Sequence, residues 1–344
     1  MGVLNPDRNR GGYGNILLPR SLSFPLDLKA LSGGRERAEL EIGFGNGEYT
    51  VRYAALHPDT FFVGMEVSPA CVLRCAKRSA GLDNLRLVRT DARYMMKELF
   101  ADSSLDKIYM NFPCPWPKKR HAHRRVTARE FTDDLAAVLR PGGVFELVTD
   151  DEPYAQEVRT RLSEHAALNF LTHELNPVRP VTTKYERKWM EQGKAIHRLI
   201  FAKTRDFTVA RRTWRDSEMH IRTEYPPNEE RIAALDGTSG RRGDARWAFG
   251  RHYAGPDGAP CFLVDTFSTD DEFEQRYYLR VSERGGGTLV QLDGTANAFL
   301  TPAVRCAAED LARRLSPSGD AALNQLGLDT QVPATYEYGS TGPY

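Results

Sequence analysis

Three glycines and three acids are spaced as a nucleoside-binding crevice would need them. Leu40–Gly47 reads LEIGFGNG: an apolar run, then Gly43, Gly45 and Gly47, then a helical pattern. Glycines at a strand-to-helix turn allow a tight bend and a close approach of backbone to ligand. The spacing is G-x-G-x-G, one place short of the G-x-G-x-x-G that seats a pyrophosphate. Glu66, in VGMEV, falls 21 residues after Gly45. A carboxylate ending a second strand can accept both hydroxyls of a ribose, a charge-assisted contact worth about 1.5–3 kcal/mol. Asp91, in LVRTDA beside Ala92, ends a third apolar run and is placed to accept from an adenine amino group. Glu41 lies inside the first run, within reach of the loop or of a ligand's ammonium group. Any one of these acids alone would read as a solvated strand end. Three at successive strands converge on the crevice where open α/β sheets bind ligands, and the chemistry they support is the binding of a nucleoside cofactor without phosphate.

A second group follows. Asn111–Lys118 reads NFPCPWPK, and its three prolines in five residues impose a rigid, extended turn with few backbone donors. Such a loop suits a planar base, with Trp116 either stacking on it or capping the core. Lys118–Arg125 reads KKRHAHRR, with cations at Lys118, Lys119, Arg120, Arg124 and Arg125 and imidazoles at His121 and His123. Beside a crevice, such a run is expected to form a rim for a phosphodiester backbone. Asp150-Asp151-Glu152-Pro153-Tyr154 opens a helical stretch, and Asp151 and Glu152 suffice to cap it, leaving Asp150 over. Thr183-Lys184-Tyr185-Glu186 has the pattern of a capping box.

These residues need a scaffold of alternating strands and helices. Apolar runs at 40–44, 61–67, 85–89, 107–112, 144–149 and 196–202 predict strands. Ser68-Pro69 predicts a helix start that Gly81 ends, and 130–139 and 152–164 predict two further helices. Strands separated by single helices imply right-handed βαβ units and a mostly parallel sheet. Composition shifts near residue 204: all ten lysines lie at or before Lys203, and the remaining 141 residues carry arginine alone as a permanent side-chain cation. The expected division is an N-terminal arm over 1–34, an α/β domain over 35–204 and a C-terminal extension over 205–344. In the extension, 261–267, 276–281 and 288–292 predict strands, the last two joined as a hairpin through SERGGG, and 304–315 predicts a helix, together a small α+β domain. Its arginines and aromatics (Trp214, Arg241, Arg242, Trp247, Tyr277, Tyr278) suit an extended nucleic-acid surface or an interface, and equally an ordinary folded appendage.

Global composition excludes several classes. The chain has 344 residues, 41% hydrophobic and 27% charged, a globular balance and a length suited to about two domains. There is no stretch of 18 consecutive apolar residues and no apolar leader in the first twenty, so neither a membrane nor secretion is expected. Five cysteines without CxxC spacing support neither a disulfide framework nor a metal site and fit a cytoplasmic protein. The net charge of +1 leaves any nucleic-acid face to local clustering.

LEIGFGNG, GMEVS, TDA, NFPCPWPKKRHAHRR, VTDDEPY and TKYERKW occur in the order and spacing of the tRNA (guanine-N7)-methyltransferase family, which the chain resembles over residues 12–203. The resemblance implies a seven-stranded, Rossmann-like class I methyltransferase domain that uses S-adenosylmethionine, with no metal, to methylate a guanine in the variable loop of tRNA. It makes Glu41, Gly43, Gly45, Glu66, Asp91 and Ala92 cofactor contacts, and Lys118, Asp150, Thr183, Lys184, Tyr185 and Glu186 substrate contacts. The chain departs from the family at Cys114, where the family typically has an aspartate usually considered catalytic. Guanine N7 carries an in-plane lone pair and no proton, so its alkylation needs no general base. A carboxylate there would only stabilise the cationic product, and Cys114 is expected to be a tolerated variant. The alternatives are a tRNA-binding relative whose chemistry lapsed with the aspartate, and a Pro-Cys thiolate that adds to cytosine.

Overall fold

The computed structural model describes residues 13–19, 22–116, 118, 120, 125–211, 219–255 and 260–317, with backbone alone at 184 and 185. The chain divides into two compact units, one of residues 1–18 and 22–213 and the other of 19–21 and 214–344.

The first unit runs β1 (Ile16–Leu17), α1 (Leu28–Leu31), β2 (Arg37–Ile42), α2 (Glu48–Leu56), β3 (Thr60–Glu66), α3 (Pro69–Arg78), β4 (Leu85–Arg89), α4 (Ala92–Leu99), β5 (Leu105–Asn111), α5 (Arg129–Val138), β6 (Leu139–Thr149), α6 (Glu152–Ser163), β7 (Leu168–Leu175), α7 (Lys184–Glu191) and β8 (His197–Lys203). The strands form one sheet in the order β1-β4-β3-β2-β5-β6-β8-β7. Only β8 runs antiparallel to its neighbours β6 and β7. The expected seven strands are present, and two residues of the N-terminal arm add β1 as an eighth, parallel to β4. β3 is buried at six of its seven positions, as expected of a parallel strand covered on both faces. Local signals agree with the sequence: the Ser68 hydroxyl caps α3 with Pro69 in its first turn, and Asp151 caps α6 by accepting from the Tyr154 amide at 2.8 Å. β7 was not foreseen. It lies on the sheet edge, where Leu171 and Leu175 are exposed and no apolar run is required.

The second unit comprises β9 (His220–Thr223), α8 (Glu229–Ala233), β10 (Ser239–Arg242), β11 (Ala245–Ala254), β12 (Cys261–Asp270), β13 (Phe273–Arg284), β14 (Gly287–Leu292) and α9 (Pro302–Leu315). Its six strands are antiparallel in the order β10-β11-β12-β13-β14-β9. The α+β architecture and the β13–β14 hairpin are as expected. The hairpin turns through Gly285 and Gly286, both at positive φ, which a two-residue turn of this hand demands. The strands β9, β10 and β11 were not foreseen. Trp247 and Tyr277 lie in the core with Phe249, Leu279 and the α9 residues Val304 and Leu311, as members of a folded appendage rather than of a surface. Arg242 pairs with Glu309 of α9 at 2.8 Å, and Trp214 lies outside the described residues.

Candidate functional site

β2, β3, β4, β5 and β6 all end on one edge of the first sheet, and the glycine turn between β2 and α2 rims that edge. Gly43, Gly45 and Gly47 all adopt left-handed backbone (φ 72°, 55° and 76°), a region that penalises any side chain. A Cβ on Gly43 or Gly45 would meet open space, whereas one on Gly47 would lie 2.2 Å from Cys75 Sγ on α3. Gly47 therefore serves packing, and Gly43 and Gly45 present bare backbone outward. Glu66, at the end of β3, holds the turn: Oε2 accepts from the Gly45 amide at 2.9 Å and Oε1 from the Ser68 amide at 2.9 Å. A carboxylate already occupies the loop amide that a phosphate would use, and its charge repels one. Each oxygen retains a lone pair for a hydroxyl donor.

Asp91 is more heavily engaged. It caps α4 through the Arg93 amide at 2.9 Å, and the Arg93 guanidinium grips both carboxylate oxygens, with Nη2 2.6 Å from Oδ2. Ala92 behind it is buried.

Glu41 faces inward. Its carboxylate accepts from the Thr50 hydroxyl of α2 and, at 2.9 Å, from Asn111 Nδ2 at the end of β5. Burial pushes the Glu41 carboxyl above its ordinary value, against the lowering effect of those two hydrogen bonds. The chain of contacts continues: Asn111 Oδ1 accepts from Arg179 Nη2 at 2.6 Å, and Arg179 Nη1 donates to Glu186 Oε2 at 2.9 Å. Arg179 also lies over the Tyr49 ring, 4.9 Å from its centroid, and 3.6 Å from Glu146. The Thr183–Glu186 segment is the capping box that its spacing suggested: Thr183 accepts from the Glu186 amide at 3.0 Å, and Glu186 Oε2 accepts from the Thr183 amide at 3.2 Å. The Glu186 side chain is buried and meets Arg179 where the resemblance had it meet guanine. Arg179 was missed because nothing near it in NPVRPV marks a partner.

The NFPCPW loop begins and ends in strained backbone, with Phe112 at φ 53° and Trp116 at φ 46°, conformations that persist where the surroundings enforce them. Arg125 supplies that constraint. It donates to the Trp116 carbonyl at 2.7 Å and pairs with Glu157 of α6 at 2.6 Å. This corrects the expectation that Arg125 faces a phosphodiester: it is a strut. Lys118, Arg120 and Cys114 are exposed, whereas Lys119, His121, His123 and Arg124 lie outside the described residues. Asp150, at the end of β6, pairs with Lys194 at 2.6 Å, and Lys194 lies over the Trp189 ring.

A sheet of this order, with an acid at the end of β3 holding a left-handed glycine turn after β2, defines the class I S-adenosylmethionine-dependent methyltransferase fold. Residues 35–199 match a family described as "Putative methyltransferase". A tRNA (guanine-N(7)-)-methyltransferase of Thermotoga maritima is 37% identical over 300 residues, 86% of this chain and 95% of the relative. Proteins of the same name from Thermus thermophilus (31% over 312 residues, 88% of this chain and 97% of the relative) and Nitrosococcus oceani (37% over 184 residues, 53% and 78%) are also similar. The chain belongs to the tRNA (guanine-N7)-methyltransferase family.

Proposed function

We propose that this chain transfers the methyl group of S-adenosylmethionine to N7 of a guanine in the variable loop of tRNA, in the cytoplasm. The observation that carries the cofactor half is the hold of Glu66 on Gly45, which leaves a carboxylate with lone pairs toward a ribose and takes the Gly45 amide from a phosphate. Gly43 and Gly45 would lie against the cofactor, Glu66 would take the ribose hydroxyls, and Asp91 with Ala92 would border the base. When bound, S-adenosylmethionine supplies an electrophilic methyl on a sulfonium.

The residues of the chain have a light chemical task. Guanine N7 needs no base, so what matters is holding the purine and tolerating the positive charge that grows on it. The proline-framed loop gives the base a stiff wall, which Arg125 fixes to α6. Asp150, partly exposed, is a carboxylate available to that charge once Lys194 yields, and Cys114 contributes none while its thiol is neutral. Lys118 and Arg120 meet tRNA phosphates, and Thr183, Lys184 and Tyr185 approach the guanine. Glu186, enclosed by Arg179, sets the position of that segment.

The test is methyl transfer from labelled S-adenosylmethionine into unmodified bulk tRNA, followed by nucleoside analysis. Label in 7-methylguanosine is expected. Label in 5-methylcytidine would make Cys114 a nucleophile, and tRNA binding without label would leave only a binding protein.

A further inference from the structure

We propose that the face of the second unit's sheet opposite α9 is an RNA-binding surface that engages the tRNA substrate, a proposal that rests on the reading above and adds a second contact to it. Strand alternation splits this sheet into two unlike faces. One set of side chains, Trp247, Leu279 and Val290 among them, packs with α9. Gly240 belongs to that side, since a Cβ there would sit 2.5 Å from the Trp247 ring.

The opposite side carries Arg241 and Arg246, exposed and directly paired across β10 and β11. Like charges directly opposite one another destabilise a sheet, and neither residue serves its core. Arg280 on β13 and Arg222 on β9 are exposed on the same face, in the registers Arg280–Leu263 and Arg222–Leu289. Tyr253 and Tyr278, 52% and 37% exposed, stand edge to face there with centroids 6.0 Å apart. The acids that the strands place on this face are Asp265, gripped by Arg276, and Glu274. Arg284 shares the alternation of Arg280, and Asp293, just past β14, lies near Arg280; six arginines against three acids make a local positive excess on a chain whose net charge is only +1.

Arginines among exposed rings on an antiparallel sheet provide what single-stranded RNA requires: guanidinium groups for phosphates and faces on which unpaired bases stack. Here arginine lies on four of the six strands of the face.

Two double variants of the full chain test the surface, Arg241→Ala/Arg246→Ala and Tyr253→Ala/Tyr278→Ala. The measurements are tRNA binding across a salt series, methyl-transfer kinetics, and sedimentation. For both variants, Kd and KM for tRNA are expected to rise roughly tenfold, with kcat at saturating tRNA within about twofold of the parent. The arginine variant is also expected to lose about 1.4 from the slope of log affinity against log salt, since each phosphate contact to a single strand contributes about 0.7. Arg241→Lys/Arg246→Lys should restore binding, which loss of folding would not permit. Unchanged tRNA affinity in both alanine variants, with the parent binding and methylating tRNA, would overturn this surface alone. A change in sedimentation with unaltered tRNA affinity would mark a protein interface and overturn it too. A parent that neither binds nor methylates tRNA would overturn both readings.

Discussion

Arg179 Nη2 donates to Asn111 Oδ1 at 2.6 Å, joining residues 68 positions apart. Through that bond the segment after β7 is fixed to the end of β5, where the proline-framed loop begins. The other amide atom of Asn111 reaches Glu41, so one line of contacts runs from the glycine turn's own strand to the capping box of α7.

Replacing Arg179 should therefore act on both stability and activity. Arg179→Met leaves Glu186 buried without its cation, and breaking a buried pair from one side costs about 3–5 kcal/mol. Denaturant unfolding should show that loss. The double variant Arg179→Met/Glu186→Gln should recover part of it. A change below about 1 kcal/mol in the single variant would mean that the network does not hold the α7 segment.

Glu66→Gln keeps one acceptor but turns an NH2 toward either the Gly45 or the Ser68 amide, both of which now meet carboxylate oxygens at 2.9 Å. Affinity for S-adenosylmethionine should fall about tenfold or more, as the loss of a charge-assisted contact predicts. Calorimetric titration reads this directly, and an undiminished affinity would remove Glu66 from the cofactor site.

Cys114 is exposed, and nothing in the proposed chemistry needs its sulfur. Cys114→Asp restores a carboxylate near the developing purine cation, and turnover should be equal or faster. A tenfold loss, about 1.4 kcal/mol of barrier, would assign the thiol a task of its own.

Asp134 gives a pH prediction independent of the site. It is buried on α5 and lies 3.3 Å from Lys97 on α4. Burial raises its carboxyl to about 6, despite the lowering effect of Lys97. A carboxyl raised on folding binds its proton more tightly in the native state. The native chain is thus penalised as pH rises from about 4, the ordinary value, to about 6, and fully above that. Asp134→Asn should stabilise the chain at pH 7–8 by about 3 kcal/mol, read as a higher melting temperature, and change little at pH 4. Equal effects at both pH values would contradict the burial account.

Six strands of the first unit and the acids at their ends were legible because a strand covered on both faces must be an unbroken apolar run. β7 escaped because an edge strand has no such requirement: in LNFLTHEL only Leu168 is buried. β11, ARWAFGRHYA, hides its alternation behind Gly250 and a register shift after Phe249. Capping by Asp151 and Thr183 could be read from spacing alone, since a cap and its amide lie within one turn. The partners of Arg125 and Arg179 could not, because Glu157 and Asn111 are 32 and 68 residues away and only the fold brings them near. For that reason Arg125 looked like a cation for RNA when it is a brace for the loop.

The proposed reaction modifies a single atom in one part of tRNA, and chemical cleavage at the modified base locates it. Unmodified tRNA treated with the chain and S-adenosylmethionine can be reduced with borohydride and cleaved with aniline, which cuts at 7-methylguanosine, and the fragments sized. One cut within the variable loop is the predicted result. Methyl incorporation with no cut, or cuts elsewhere in the molecule, would contradict the assignment.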